Sequence, residues 1–207
     1  MRRFSPTAPL ALTRLIWLSL WCLLGVLAGC QSLPANVDRS PSQAWLTPSA
    51  TPLGKLTTER HARDKARQPN GFALLPRADD AYTARMALIE SAQHTLDLQY
   101  YAVNLDASSA SLLEALRKAA ERGVRVRLLI DDFNTAGRNA QVLRLAFVPN
   151  IELRLFNPLA DSRNSVATRV LGGLPRFKRM QQRMHNKLFL ADNAWGITGG
   201  RNLGDAY

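Results

Sequence analysis

The feature that most limits the fold of this sequence is a regular alternation of strand-like and helix-like patterns between residues 79 and 156. Parallel strands need helical crossovers of this kind, because a tight hairpin joins only antiparallel neighbours. The pattern predicts an α/β fold with a mixed, largely parallel sheet and helices on both faces. The predicted strands are residues 95–103, 124–130 and 151–156, and the predicted helices begin at Asp79 or Asp80, at Asp106 or Ser108, and at Arg138.

The predicted elements carry the side chains expected of a buried core. Leu96, Leu98 and Tyr100 alternate along the first predicted strand, which places them on one face. The second predicted helix ends at Gly123, since glycine commonly follows the last residue of a helix. Pro149 stops the third predicted helix at about residue 147.

The first 29 residues have the composition of a signal peptide. Arg2, Arg3 and Arg14 give a basic start, and residues 15–29 carry no charge. An uncharged run of this length is short for a membrane span, which needs about 20 residues. It suits the apolar part of a cleaved export signal.

Cys30 follows this segment in the order Leu27-Ala28-Gly29-Cys30, which resembles the lipobox of bacterial lipoproteins. The resemblance implies that Cys30 is lipidated, and Gln31 in place of an aspartate implies sorting to the outer membrane. An uncleaved anchor helix is the alternative. Both interpretations predict a protein of the cell envelope, attached to a membrane on its periplasmic side.

The remainder of the chain divides into two stretches of different composition. Residues 30–68 scatter proline among serine, threonine and alanine, with few apolar side chains to offset the entropy cost of ordering. We therefore expect a lipidated tether over 30–68 and one folded domain over 69–207.

A surplus of basic residues indicates an anionic partner. Without Arg2, Arg3 and Arg14, 24 of the 27 cations remain against 16 acids, a net charge of +8. This balance favours phospholipid headgroups, nucleic acid or a phosphorylated small molecule, although it can also serve solubility. Residues 162–191 hold no acid and are either a solvated loop or a surface that recruits an anionic membrane or nucleic acid. Their cations are Arg163, Arg169, Arg176, Lys178, Arg179, Arg183 and Lys187.

The chemistry of the chain is concentrated in a His-x-Lys-x4-Asp pattern followed by Gly-Gly-x-Asn. Its residues are His185, Lys187, Asp192, Gly199, Gly200 and Asn202. On a strand His185 and Lys187 point the same way, about 7 Å apart. A neutral imidazole is a competent nucleophile towards phosphorus, and a neighbouring ammonium stabilises the phosphate charge.

A two-residue turn at Asp192 and Asn193 is consistent with a hairpin here. That register places His185 opposite Gly200 and Lys187 opposite Thr198. Glycine at 199 and 200 then leaves room for a phosphate to approach the backbone.

Two other motif residues are placed by the same hairpin. Asn202 lies on the side of His185, where its amide can donate to a phosphate oxygen. Asp192 lies about 23 Å from His185 on a straight strand. We therefore expect Asp192 to hold the turn or to form a structural ion pair rather than to contact substrate, although it belongs to the catalytic motif.

At these residues the sequence resembles the phospholipase D superfamily. Upstream stretches resemble its bacterial cardiolipin synthase branch, and the resemblance covers about 71–207. It implies a phospholipase D-like sandwich built from two similar halves, each with one such motif. Those stretches are Leu96-Asp-Leu-Gln-Tyr-Tyr101, Gly123-Val-Arg-Val-Arg-Leu128, Asp131-Asp132, 149–158 and 200–207.

The resemblance also implies a mechanism without a metal or a cofactor. One histidine attacks phosphorus to form a phosphohistidine, and the other protonates the leaving alcohol. We assign the role of nucleophile to His185 and phosphate binding to Lys187 and Asn202. To the intact site we assign phosphatidyl transfer on a phospholipid substrate.

A second copy of the motif is not found in this sequence, because His61 is followed two places on by Arg63 and His94 by Leu96. We therefore expect this chain to be the first half of the fold only. A complete site needs the missing second half or a second subunit, and we expect little activity from this chain alone. The alternatives are a non-catalytic membrane lipoprotein remnant and, less favoured by the lipid anchor, a phosphodiesterase acting on nucleic acid.

Lipidation can be tested by metabolic labelling with palmitate followed by membrane fractionation. We expect Cys30→Ser to abolish the label and to release the protein from the membrane fraction, because the acyl chains are its anchor. Cys22→Ser is the matched control, since Cys22 lies within the apolar run and should leave the label unchanged. Membrane association of an unlabelled Cys30→Ser protein would favour the uncleaved helix instead.

Overall fold

The computed structural model describes residues 13–14, 16–21, 41–65, 67–68, 70–159, 167, 170 and 177–207. Contacts divide the chain into two compact units, Met1–Asp38 and Arg39–Tyr207. In the first unit, residues 13–14 and 16–21 are helical. None of the described helices combines the length and the apolar character that a bilayer crossing requires. Cys30 and most of the basic stretch 162–176 lie outside the described residues.

A five-stranded sheet forms the centre of the second unit. Its strands are β1 (Thr95–Tyr100), β2 (Arg125–Asp131), β3 (Ile151–Phe156), β4 (Lys187–Ala191) and β5 (Trp195–Thr198), in the spatial order β3-β2-β1-β4-β5. β1, β2 and β3 are parallel, whereas β4 runs antiparallel to both β1 and β5. The fold is therefore α/β with a mixed sheet, as the sequence predicts.

Helices precede the first strand and lie in the connections between the strands up to β4. They are α1 (Pro52–Arg63), α2 (Ala78–Ser91), α3 (Ala107–Glu121) and the short α4 (Phe177–Met180), with 3₁₀-helices at Pro48–Ala50, Asp132–Asn134 and Gly137–Phe147. α3 begins at a capping box formed by Asp106 and Ser109, which satisfies backbone N–H groups in its first turn. The segment predicted as a third α-helix is a 3₁₀-helix, in which only Val142 is fully buried. Leu143 and Leu145 are only partly buried against the core, so packing does not bury a continuous helical face there.

The core occupies one face of the sheet. Leu96, Leu98 and Tyr100 of β1 are at most 2% exposed, which confirms the predicted face of this strand. Helices α1, α2, α3 and the 3₁₀-helix Gly137–Phe147 all contribute to this same buried cluster. The opposite face carries half-buried polar residues such as Asp97 and Gln99, and Arg127 there pairs with Asp97. Within the described residues, the packed helices thus share a single core.

The compact unit begins before the boundary predicted at residue 69. Thr51 is fully buried and Leu53 of α1 belongs to the core, while the indole N–H of Trp195 donates to the Leu53 carbonyl at 2.9 Å. Further upstream, Trp45 stacks on His94 with ring centroids 3.9 Å apart. Residues 41–65 therefore pack on the domain, because a few large contacts offset the ordering cost that the composition alone emphasises.

The hairpin that follows the His-x-Lys segment has a different register from the predicted one. Leu188 pairs with Thr198 and Ala191 with Trp195, so that the turn has three residues. Two of these, Asp192 and Asn193, have φ values of 50° and 51°, a conformation that Asp and Asn tolerate. The predicted pairing of Lys187 with Thr198 is wrong by one residue, which reverses the faces because side chains alternate.

The end of α3 offers a test of backbone strain. Gly123 has φ of +92°, and a Cβ added there would meet no atom within 4 Å, so only the backbone conformation opposes a substitution. We expect Gly123→Ala to lower the free energy of unfolding in urea by about 1 kcal/mol. Gly71→Ala is the control, since its Cβ also meets open space without the left-handed backbone. Equal effects of the two substitutions would contradict this explanation.

Candidate active site

His185 lies two residues before β4, at the edge of the sheet where β1 ends. Its side chain is exposed, and its ring packs against Tyr101 with ring centroids 4.2 Å apart and planes inclined by 43°. Tyr101 directly follows the last residue of β1. In α/β proteins this carboxyl edge of the parallel strands is where ligands usually bind. The sheet therefore presents an accessible imidazole at the expected edge.

Lys187 is the first residue of β4 and lies close to His185. It pairs with Tyr100 in the antiparallel ladder, which fixes its place at the end of β1. Its ammonium donates to the carbonyl oxygen of His185 at 2.7 Å and lies 5.4 Å from the centre of the Tyr101 ring. The structure thus brings the two sequence-predicted residues together around one aromatic ring, while their chemical roles stay predictions.

The predicted phosphate-binding residues leave open space near this edge. Gly199 and Gly200 are exposed, and a Cβ added to either would meet no atom within 4 Å. Asn202 is half-buried, and its Oδ1 accepts a hydrogen bond from the backbone N–H of Ala102 at 3.2 Å. This bond uses the amide oxygen of Asn202. Its NH₂ group makes no hydrogen bond to the described residues and is available as a donor.

Asp192 is placed at the opposite end of β4 from His185. Its carboxylate is fully buried and accepts backbone N–H groups from Gln93 at 2.9 Å, His94 at 2.7 Å and Thr95 at 2.9 Å. These bonds tie the end of β4 to the start of β1. In this geometry Asp192 therefore anchors the turn to the start of β1, at the other end of β4 from His185, in agreement with the expectation that it holds the turn.

Asp131 holds the segment that leads into His185, a contact that the sequence pattern does not predict. Its buried carboxylate accepts from the backbone N–H of Met184 at 2.7 Å and from the Arg183 guanidinium at 3.0 Å. These partners immediately precede His185. The sequence signal for Asp131 is its position directly after a predicted strand. Its backbone partner Met184 lies 53 positions further along the chain, so a local pattern cannot identify it.

The segment that carries Asn202 is attached to the start of α3. Asp106 accepts from the backbone N–H of Asp205 at 2.8 Å, while the backbone N–H of Ser108 donates to Asp205 at 2.9 Å. Burial acts to raise the pKa of Asp106, but the N–H groups of Asp205 and Ser109 and the neighbouring serine hydroxyls outweigh it and hold the pKa below its usual value. A charged Asp106 therefore stabilises the position of this segment.

The other two histidines lie elsewhere. His94 stacks on Trp45 next to the Asp192 turn, and His61 is an exposed residue of α1. Across the described ranges, no group of three His, Cys, Asp or Glu residues is arranged to hold a metal ion. The described part of the chain thus supplies one imidazole to the candidate site.

Known proteins resemble this chain over the same region. Residues 86–206 match the family model described as "Cardiolipin synthase, PLD-like domain". Cardiolipin synthase C of Escherichia coli is 47% identical over 137 residues, 66% of this chain and 28% of that protein. An uncharacterised protein of Helicobacter pylori is 37% identical over 181 residues, 86% of this chain and 35% of that protein. This chain therefore spans about a third or less of the length of these curated relatives.

Among solved structures, the phospholipase D family member Nuc from Salmonella typhimurium is 25% identical to this chain. The superposition covers 61% of this chain and 66% of that chain, with a TM-score of 0.43.

The structural function of Asp192 can be tested by unfolding in urea. Asp192→Asn keeps the size of the side chain and tolerates the left-handed backbone, but it loses the charge and one acceptor oxygen. We expect the free energy of unfolding to fall by about 2 kcal/mol, because buried N–H groups lose a charged partner. Asp64→Asn, which changes an exposed carboxylate, should leave it unchanged. An Asp192→Asn protein as stable as the unsubstituted chain would contradict the proposed anchor.

Proposed function

We propose that this chain, which belongs to the phospholipase D-like family of cardiolipin synthases, transfers phosphodiester groups of phospholipids through a covalent intermediate on His185. The family match confirms the resemblance predicted from the His-x-Lys-x4-Asp and Gly-Gly-x-Asn residues. The observation that carries the proposal is an exposed imidazole with the Lys187 ammonium beside it at the carboxyl edge of β1.

The proposed reaction has two displacements at phosphorus. A ring nitrogen of His185 attacks the phosphorus atom, the bond from phosphorus to the leaving alcohol oxygen breaks, and that oxygen takes the electron pair and a proton. Water or an acceptor alcohol then attacks phosphorus, loses its proton and releases His185. The Lys187 ammonium and the Asn202 amide would stabilise the negative oxygens, and the space beside Gly199 and Gly200 would admit them.

The proposed reaction needs a proton donor for the leaving alcohol, and the described residues do not supply one. We propose that a second histidine reaches the site from a second half of the fold or from a second subunit. General acid catalysis contributes about 10²–10⁴-fold to such reactions, so the first displacement on a lipid would be slow without it.

We propose an anionic phospholipid membrane as the partner and the periplasmic side of the cell envelope as the location, with Cys30 as the lipid anchor and the outer membrane as the favoured site. The net charge of +8 beyond the signal segment supports attraction to such a surface. The same charge suits nucleic acid, so a nucleic-acid phosphodiesterase stays the second candidate. The third is a lipoprotein that binds these surfaces without chemistry.

His185 as nucleophile can be tested with bis(4-nitrophenyl) phosphate, whose leaving group needs no proton from an acid. We expect a stoichiometric burst of 4-nitrophenol and an acid-labile adduct on His185, detected by mass spectrometry. His185→Ala should lose both, and Lys187→Ala should slow the burst about 100-fold, because a charge-stabilising group is removed. His61→Ala serves as the control, since this exposed histidine of α1 lies outside the site.

The physiological substrate class is decided by supplying two natural phosphodiesters to the chain. Phosphatidylglycerol vesicles that give a His185-dependent phosphatidyl product would support the lipid reaction. His185-dependent nicking of plasmid DNA without a lipid product would favour the nucleic-acid alternative. An absent adduct with every substrate would favour the non-catalytic lipoprotein.

A further inference from the structure

Tyr101 lies against both the candidate nucleophile, His185, and its neighbour Lys187. Its ring lies 4.2 Å from the His185 ring between centroids, and the Lys187 ammonium lies 5.4 Å from its centre. The two rings are in direct contact, and the ammonium lies within the distance of about 6 Å at which cation–π pairs are attractive. We propose that Tyr101 is a positioning residue that orients the His185 imidazole and holds the Lys187 ammonium beside it, an inference that rests on the proposed function.

The backbone that carries Tyr101 is held on both sides. Tyr100 is fully buried, and its hydroxyl accepts a hydrogen bond from Nε of Arg85 at 3.1 Å. The N–H of Ala102 donates to Asn202 at 3.2 Å, and the carbonyl of Tyr101 accepts a hydrogen bond from Asn134 at 3.4 Å. Because neighbouring side chains alternate, Tyr100 anchors in the core while Tyr101 turns towards the site edge. These contacts therefore fix the backbone from which the Tyr101 ring extends.

The His185 side chain needs such a support. It is exposed, and no hydrogen bond to its ring nitrogens is present among the described residues, where the ring of Tyr101 is the aromatic ring that packs against the imidazole. An exposed side chain without a partner samples several rotamers, and only some of them aim a nitrogen at phosphorus. Packing on a fixed ring raises the fraction of the productive rotamer before substrate arrives.

The Tyr101 ring also holds the Lys187 ammonium in place. Its ammonium already donates to the His185 carbonyl, and the negative face of the Tyr101 ring attracts it from a second direction. Both contacts keep the cation next to the nucleophile instead of extended into water. The Tyr101 hydroxyl makes no hydrogen bond within the described residues, so the ring rather than the hydroxyl carries this function.

Three variants separate this positioning role from a general packing role. Tyr101→Leu removes the ring, Tyr101→Phe keeps it, and Phe147→Leu makes the same aromatic-to-leucine change at a side chain that is 89% exposed and outside the site. The first measurement is the NMR shift of the His185 ring protons in protein labelled with ¹³C-histidine. The second is the burst of 4-nitrophenol at varied substrate concentration, and urea unfolding checks that each variant is folded.

For Tyr101→Leu we expect displaced His185 ring resonances, because the ring current of Tyr101 is lost. We also expect a burst rate about tenfold lower with the half-saturating substrate concentration nearly unchanged, because the ring orients the nucleophile without touching phosphate. Tyr101→Phe and Phe147→Leu should match the unsubstituted chain in both measurements.

The inference is overturned if Tyr101→Leu reacts as fast as the unsubstituted chain, or if Tyr101→Phe is as slow as Tyr101→Leu. A chain without any burst would refute the proposed function and leave the NMR measurement to judge the positioning. Displaced His185 resonances in Tyr101→Leu alone would then support the contact, and unchanged resonances would overturn it.

Discussion

The structure depends on two buried carboxylates that hold the ends of the segment bearing His185 and Lys187. Asp131 binds the segment at Arg183 and Met184, and Asp192 binds the start of β1 from the other end of β4. A buried carboxylate without partners is costly, whereas one that accepts several N–H groups is stable. Displacement of β4 would therefore remove the backbone partners of Asp192 and leave Asp131 with the N–H of Phe133 alone, and this cost specifies where the strand inserts.

The insertion of β4 determines the geometry of the candidate site. β4 runs antiparallel beside β1, so its first residues meet the last residues of β1 at the edge where parallel strands end. That meeting brings Tyr101 against His185 and Lys187. The segment after Gly200 returns to the same edge, where Asn202 binds Ala102 and Asp205 binds Asp106. Fold stability and site geometry thus share the same hydrogen bonds, so a substitution that loosens β4 affects both.

Local patterns predicted the parallel half of the fold well, because each element there is encoded by its own residues. β3 has the predicted bounds, and the buried face of β1 and the start of α3 at Asp106 also agree with the structure. The errors fall where distant contacts decide. Residues 41–65 look like a linker by composition but pack through Trp195 and His94. The turn after β4 takes a third residue because Asp192 reaches back to β1 instead of closing a two-residue hairpin.

The sequence by itself determined the order of strands and helices between residues 79 and 156, the family and the identity of the six motif residues, because these depend on local periodicity and on spacing along the chain. Only the tertiary structure decided that Asp192 binds the start of β1, that Asp131 secures the other end of the segment, and that Tyr101 lies against the histidine and the lysine. The physical reason is separation along the chain. His185 and Tyr101 meet only after β4 has inserted beside β1, and that insertion is set by buried hydrogen bonds between residues dozens of positions apart.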